Sequence, residues 1–135
     1  NIIASYAYNK ATFLESDNVE EIGLQKPNTP KNTANIWTRY NIGRGALEGL
    51  GIALGGNFVD RRNLLYDSNF DANNQLSIPS YMLLNAALYY SVGKMQLQLN
   101  ANNITNKKHW VGGYDYLRLF PGVPQNYLLS LGYTF

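Results

Sequence analysis

The sequence predicts an all-β fold in which six strands form part of an antiparallel, up-and-down transmembrane β-barrel. Six segments alternate apolar and polar side chains with a period of two, as expected for strands. Charged residues make up only 15% of the chain, against about 25% in typical soluble domains, whereas Tyr occurs 11 times. The polar strand faces carry Gln, Asn, Ser and Gly instead of charge, which favours a hydrated barrel interior over the outer surface of a soluble sandwich.

The first three predicted strands lie near residues 2–8, 33–42 and 49–59. Their apolar faces carry Ile2, Ala4, Tyr6 and Tyr8 in the first strand, Ala34, Ile36, Thr38, Tyr40 and Ile42 in the second, and Leu50, Ile52, Leu54 and Phe58 in the third. In the second strand this assignment leaves Trp37 and Arg39 on the polar face. The third strand sets large side chains against small ones, which suits a crowded interior.

The last three predicted strands lie near residues 81–92, 94–103 and 126–135. Their apolar faces carry Met82, Leu84, Ala86, Leu88, Tyr90 and Val92 in the first of them, Met95, Leu97, Leu99 and Ala101 in the second, and Tyr127, Leu129, Leu131, Tyr133 and Phe135 in the third. The middle strand is the clearest, because Gln and Asn occupy every second position. In the last strand only Leu128 breaks the alternation.

The predicted connections alternate between long (residues 13–31, 60–79 and 105–125) and short (43–48 and 91–94). Outer-membrane barrels have this rhythm, with short periplasmic turns and long outer loops. Tyr side chains near strand ends suit an aromatic girdle, and they are Tyr6, Tyr8, Tyr40, Tyr81, Tyr89, Tyr90, Tyr127 and Tyr133. Six strands cannot close a membrane barrel, since the smallest bacterial barrels have about eight. We therefore expect residues 1–135 to be one portion of a larger barrel domain.

Charge and composition exclude several classes of site. The 11 basic and 9 acidic side chains nearly balance and form no long run, so no nucleic-acid partner is expected. The absence of Cys excludes thiolate metal sites and cysteine nucleophiles. The segment 67–73 has the oxygen spacing of a calcium loop, but Ala72 and Ile78 stand where that loop needs Gly and Glu. His109 is the one histidine and makes a poor metal site by itself.

The last long loop carries an aromatic and cationic set near the predicted barrel mouth. Its members are Trp110, Tyr114, Tyr116, Arg118 and Phe120. Rigid aromatic side chains supply contact area at small entropic cost, and Arg pairs with anionic groups, so this set is the candidate ligand-binding site. The alternative interpretation is that these residues serve the girdle or pack the loop.

Several motifs in this order resemble the C-terminal end of a TonB-dependent outer-membrane receptor of the ferric-siderophore type. They are the segments 30–40 (Pro-Lys-Asn to Thr-Arg-Tyr), 49–52 with 60–62 (Gly-Leu-Gly-Ile and Asp-Arg-Arg), 78–86 (Ile-Pro-Ser-Tyr to Leu-Asn-Ala), 97–108 (Leu-Gln-Leu-Asn-Ala-Asn-Asn-Ile-Thr-Asn-Lys-Lys), and 121–124 with 131–135. Two departures from the family pattern are Gln125, where an Arg is frequent, and His109-Trp110, where a Tyr is frequent; they leave the type of ligand open.

The resemblance implies a 22-stranded barrel in the bacterial outer membrane, filled by an N-terminal plug and importing ferric siderophores with energy from the TonB complex. The plug and the segment that contacts TonB are expected outside these residues. No cofactor is implied, because iron arrives only within the siderophore, and no enzymatic activity is expected. The alternating Tyr127, Leu129, Leu131, Tyr133 and Phe135 resemble the signal read by the barrel-assembly machinery, while the same residues also suit a last strand facing the lipid bilayer.

Other functions remain open from the residues alone. Within the same family, the cargo could be cobalamin, haem or an oligosaccharide. A plugless adhesion or binding barrel would share the strand pattern. A barrel hydrolase would need a serine, a histidine and an acid together, and His109 is the only candidate base.

Overall fold

The computed structural model describes residues 1–64, 76–115 and 117–135. In this part of the chain the structure is built from strands, with one short 3-10 turn at Val19–Glu21. The strands are β1 (Ile2–Tyr8), β2 (Asn32–Asn41), β3 (Leu50–Val59), β4 (Arg62–Asn63), β5 (Ser77–Ile78), β6 (Tyr81–Val92), β7 (Met95–Asn102), β8 (Trp110–Gly113), β9 (Leu119–Pro121) and β10 (Asn126–Tyr133). The described residues contain no helical segment with the length and hydropathy of a membrane span.

The six long strands form one sheet in the order β1-β2-β3-β6-β7-β10, and every neighbouring pair is antiparallel. This confirms the predicted up-and-down order of the six strands. Loop 1 (residues 9–31) and the described parts of loop 2 (60–80) and loop 3 (103–125) therefore lie at one end of the sheet, called the loop end. The short connections lie at the opposite end, called the turn end.

The apolar face of the sheet matches the predicted alternation. Leu88 lies opposite Leu99, and Leu99 lies opposite Leu129, so leucines from three strands form a row across this face. Most large apolar side chains here are exposed, and the buried hydrophobic residues among those described are only Ala53, Leu64, Ile78 and Ala87. A soluble domain of this size would bury a substantial apolar core. The apolar face is therefore built to contact another apolar phase.

Tyrosines border this apolar face at both ends. Those at the loop end are Tyr6, Tyr8 and Tyr127, and those at the turn end are Tyr40, Tyr90 and Tyr133, all of them exposed. The predicted girdle was wrong for Tyr81 and Tyr89, which point to the polar face. Their rings contact Arg62 and Arg39 there. Proximity to a strand end does not decide the face, whereas the period of two does.

The polar face pairs large side chains with glycine. A Cβ on Gly55 would overlap the indole of Trp37, which lies directly opposite on β2. The Arg39 guanidinium lies 3.9 Å from the centre of the Tyr89 ring, and its Nε donates to Asn41 Oδ1 at 2.8 Å. The predicted placement of Trp37 and Arg39 on the polar face is confirmed, and Gly55 is the small residue that makes room for Trp37.

A row of amide side chains crosses the polar face towards the loop end. Asn35 Nδ2 donates to Ser5 Oγ at 3.4 Å, and Asn57 Nδ2 donates to Asn35 Oδ1. Asn85 Nδ2 then donates to Asn57 Oδ1 at 2.6 Å, and the Asn103 backbone N–H donates to Asn85 Oδ1 at 2.9 Å. Because the row ends at Asn103, it fixes the start of loop 3 to the sheet.

The short connections at the turn end depend on glycine. Gly93 opens the two-residue turn between β6 and β7 with φ +54°, a conformation that glycine adopts at no steric cost. Gly49 precedes β3 with φ +86°, and a Cβ there would overlap the Ser91 carbonyl oxygen. These two positions therefore exclude larger residues by conformation, and Gly49 also excludes them by space.

Candidate ligand-binding site

Loops 2 and 3 each contain a short hairpin that the sequence did not predict. In loop 2, β4 pairs with β5 through Arg62 opposite Ile78 and Asn63 opposite Ser77. In loop 3, β8 pairs with β9, with Trp110 opposite Pro121 and an irregularity between Trp110 and Gly112. Trp110-Val111 and Leu119-Phe120, the apolar pairs that begin β8 and β9, were the only sequence signal of the loop 3 hairpin. Strands of two to four residues are too short to show a period of two.

The β8–β9 hairpin needs glycine at its inner positions. Gly112 and Gly113 are buried. A Cβ on Gly113 would come 2.7 Å from Leu119 Cδ2 and 3.1 Å from Leu64 Cδ2. The hairpin backbone therefore lies directly against loop 2, at a distance that a larger residue would not allow.

The β8–β9 hairpin carries four of the five predicted ligand-binding residues, and Tyr116 lies outside the described residues. Trp110, Tyr114 and Phe120 are 41%, 47% and 45% exposed, so each ring offers a free surface while the rest packs on the protein. The Tyr114 and Phe120 rings meet edge to face, with centroids 5.6 Å apart. This contact restrains both rings, so a ligand would order them at low entropic cost.

Arg118 is engaged by Asp115 at the tip of the hairpin. The guanidinium donates from Nη2 and Nε to Asp115 Oδ2 at 2.6 and 2.8 Å and lies 5.3 Å from the centre of the Tyr114 ring. The side-chain hydrogen bond from Arg118 holds the pKa of the Asp115 carboxyl below its ordinary value, and the carboxylate raises the pKa of Arg118. An anionic ligand group at Arg118 must therefore share the guanidinium with Asp115, and the charged pair adds little net attraction.

A buried arginine attaches loop 2 to loop 3. Arg62 is 8% exposed, and its Nη1 donates to the Val111 carbonyl oxygen at 2.6 Å. Its Nη2 donates to the Trp110 carbonyl oxygen at 3.1 Å and to the Tyr81 hydroxyl at 3.2 Å. Sequence reasoning missed this residue, because nothing local distinguishes Arg62 from the exposed Arg61 beside it.

The same region holds a small apolar core. Leu64 and Ile78 are 1% and 2% exposed. Two of the four buried hydrophobic residues named above therefore lie in loop 2 and not in the six-stranded sheet. A cavity of about 130 Å³ adjoins them, with a mainly apolar lining of Leu64, Leu76, Ser77, Ile78, Pro79, Trp110 and Leu119. Loops 2 and 3 therefore pack against each other through side chains as well as hydrogen bonds.

The His109 side chain packs against its neighbours in the fold. Its ring lies 4.5 Å from the Tyr81 ring, and Nδ1 is 3.0 Å from the Lys107 carbonyl oxygen. A Cβ on Gly122 would overlap the imidazole, so the ring fills the space over that glycine. Across the described ranges, no group of three or more His, Asp or Glu side chains could hold a metal ion. The calcium-like segment 67–73 lies outside the described residues.

The predicted assembly signal lies on β10 at the edge of the sheet. Tyr127, Leu129, Leu131 and Tyr133 share the apolar face and are all more than half exposed. The Phe135 ring is fully exposed and meets the Tyr133 ring edge to face, with centroids 5.2 Å apart. The alternation thus extends to the last residue.

Comparisons with known proteins agree on one family. The family model for the TonB dependent receptor-like β-barrel matches residues 1–104. The ferrioxamine receptor of Yersinia enterocolitica is 29% identical over 143 residues, covering 100% of this chain and 18% of that receptor. The solved structure of the ferric-catecholate import receptor Fiu from E. coli K12 superposes with a TM-score of 0.78 at 23% identity, covering 99% of this chain and 18% of that one.

A second solved structure, the siderophore receptor PiuA from Acinetobacter baumannii, superposes with a TM-score of 0.72 at 26% identity and covers 98% of this chain and 19% of that one. The chain therefore spans less than a fifth of the length of these relatives. The matched positions include all of β1, β2, β3, β6 and β7. On this basis the chain belongs to the TonB-dependent receptor family, as part of its β-barrel.

Proposed function

We propose that this chain forms part of the barrel wall of a receptor that binds ferric siderophores and imports them with TonB-supplied energy. The observation that carries the proposal is the aromatic β8–β9 hairpin at the loop end of a family barrel sheet. Similar proteins are named as receptors for ferrioxamine and as an import receptor for ferric catecholates, which supports the cargo class. The plug and the TonB contact belong to the rest of the receptor in this proposal.

Membership of this family places the chain in the bacterial outer membrane. The apolar face with its bordering tyrosines then contacts lipid, the amide-rich face lines the lumen, and the loop end faces outwards. In this orientation Trp110, Tyr114 and Phe120 stand at the outer mouth. They are our proposed ligand contacts, together with Tyr116 and Arg118.

The aromatic rings are the main contacts in this proposal. An iron chelate presents both flat apolar surface and polar edges, and half-exposed rings restrained by one another match the flat part. Since Asp115 already neutralises Arg118, the guanidinium orients the ligand more than it attracts it. The chain needs no catalytic group for this function, and we propose that it has no enzymatic activity.

The proposal is tested by titrating the full-length receptor with a panel of siderophores that includes ferrioxamine and a ferric catecholate, followed by tryptophan fluorescence. Phe120→Ala is expected to raise the Kd about tenfold, the usual cost of truncating a well-packed aromatic contact. Trp110→Phe is expected to reduce both the fluorescence change and the affinity. The matched control is Trp37→Phe, because Trp37 lies on the sheet at Gly55 and away from the hairpin.

Saturable binding of one chelate, weakened by Phe120→Ala and Trp110→Phe but not by Trp37→Phe, is the expected result. Binding that none of the three variants weakens would move the ligand away from loop 3. If no siderophore binds, while cobalamin, haem or an oligosaccharide does, the proposed cargo is wrong and the receptor class stands.

We also propose that β10 serves assembly. The barrel-assembly machinery would read Tyr127, Leu129, Leu131, Tyr133 and Phe135, which are exposed together on one face. Phe135→Ala is expected to lower the amount of folded receptor in the outer membrane without changing the affinity of the receptor that does fold. A reduced affinity with normal abundance would contradict this assignment.

A further inference from the structure

Asn28 lies where all three long loops meet. Its backbone N–H donates to the Asn63 carbonyl oxygen in loop 2 at 2.8 Å. Its side chain reaches loop 3, where Nδ2 donates to the Gly113 carbonyl oxygen at 2.8 Å and Oδ1 accepts from the Gly113 N–H at 3.0 Å. Asn28 and Gly113 are 85 residues apart in the chain. One residue of loop 1 thus bonds to both other loops.

We infer that Asn28 is the positioning residue of the β8–β9 hairpin and that it joins loops 1, 2 and 3 into one body. Its effect on ligand binding rests on the proposed function, whereas the joint itself needs no ligand. Because the Asn28 side chain both donates to and accepts from Gly113, two hydrogen bonds hold the hairpin against loop 1, and together they restrict its rotation about either bond. The rings carried by that hairpin are therefore held in place by loop 1.

The chemistry of the position favours asparagine. Asn28 has φ +57°, a left-handed conformation that Asn tolerates better than most residues other than Gly. A side-chain amide presents a donor and an acceptor on two neighbouring atoms, and Asn28 uses both on the carbonyl oxygen and the N–H of Gly113. Aspartate would keep the acceptor and lose the donor, and glycine would keep the backbone conformation and lose both.

The fit around Asn28 is close. A Cβ on Gly112 would come 3.2 Å from Asn28 Oδ1, so the amide lies close to the hairpin at a position that has no side chain. Arg62 joins loops 2 and 3 independently, through the Val111 and Trp110 carbonyl oxygens. Loss of the Asn28 side chain should therefore release loop 1 from the loop 3 hairpin and loosen that hairpin at Gly113, while the Asn28 backbone N–H still bonds loop 1 to Asn63 in loop 2.

The test is hydrogen exchange on the full-length receptor without ligand, comparing Asn28→Gly with wild type. Glycine keeps the positive φ, so the variant removes the side chain without adding strain. The matched control is Asn106→Gly, since Asn106 also has a positive φ (+49°) and accepts a bond from the Gln125 N–H inside loop 3. We expect about tenfold faster exchange in Asn28→Gly, both around Gly113 and in loop 1, as follows from losing one or two hydrogen bonds.

The control should speed exchange near Gln125 and leave loop 1 unchanged. If Asn28→Gly alters exchange only at residues 26–30, the joint does not exist and the inference is overturned. Both variants are then titrated with whichever ferric siderophore wild type binds, and only Asn28→Gly is expected to raise the Kd, by about tenfold. Looser loops with unchanged affinity would overturn the positioning role. If wild type binds no siderophore, the proposed function fails, while the exchange result still decides whether the joint exists.

Discussion

Replacing one of two adjacent glycines in β3 should test how closely the polar face is packed. In Gly55→Ala the new methyl group overlaps the Trp37 indole, so the ring must leave its position. In Gly56→Ala the methyl group points to the apolar face and meets Met82 Cε at 3.2 Å, the flexible end of a side chain. The two variants have the same chemistry and neighbouring positions, and they differ only in what the methyl group meets.

The magnitude follows from two opposing effects. Alanine removes freedom from the unfolded chain, which stabilises by about 0.4–1 kcal/mol where the native conformation allows it. Overpacking at Gly55 costs about 1–3 kcal/mol. Gly56→Ala should therefore change the free energy of unfolding by less than about 1 kcal/mol. The free energy of unfolding of Gly55→Ala should be roughly 2 kcal/mol lower than that of Gly56→Ala, which is about a 30-fold difference in the folded-to-unfolded ratio.

The assay is guanidinium unfolding of the detergent-solubilised full-length receptor, with the barrel strands followed by circular dichroism. Gly55→Ala should unfold at lower denaturant than Gly56→Ala with an unchanged slope. Adding Trp37→Leu to Gly55→Ala should recover part of the loss, because the indole that caused the overlap is gone. Equal midpoints for the two glycine variants would refute the packing that the structure assigns to Trp37.

Three further predictions concern the loops. Arg62→Met keeps an apolar stem but leaves two backbone carbonyls in loop 3 without their donor, so exchange in the β8–β9 hairpin should rise at least about tenfold, with Arg62→Lys intermediate. Asn103→Ala removes the buried amide that bonds the Lys107 N–H and carbonyl oxygen, so trypsin should cleave after Lys107 faster than in wild type, while surface Ala substitutions elsewhere should not have this effect. Because Arg118 lowers the pKa of Asp115, their ion pair is present above the ordinary carboxyl pKa and is lost only as pH falls through the lowered value. Asp115 should therefore cause no change in siderophore affinity between neutral and mildly acidic pH. An affinity that changes with pH in that range, and no longer does so in Asp115→Asn, would contradict this.

The sheet could be predicted because its determinants are local. Each strand shows its own two-residue period, and the positions that oppose each other follow once the short turns are placed. The pairing of Trp37 with Gly55 is an example, since the pattern put both residues on the polar face. Tyr81 and Tyr89 were assigned to the girdle by their place near strand ends, although the period of two puts them on the opposite face, with Asn85.

The candidate site could be predicted only in part. The aromatic set of loop 3 is visible as composition, and the structure brings Tyr114 and Phe120 into contact. What positions the set is not local: the bonds of Asn28 span 85 residues and those of Arg62 span 48 and 49. No pattern within one segment indicates such partners. The ion pair of Arg118 with Asp115 is local, but it depends on the backbone shape of the turn between them, which the sequence pattern does not give.

The central claim is that the receptor containing this chain imports a ferric siderophore. Its most direct test is uptake of radioactive iron, presented as the chelate that binds in the titration, by cells that express the full-length receptor as their only siderophore receptor. We expect saturable uptake that stops when TonB is deleted and that falls with Phe120→Ala. Uptake that continues unchanged without TonB, or no uptake of any bound chelate, would contradict the account.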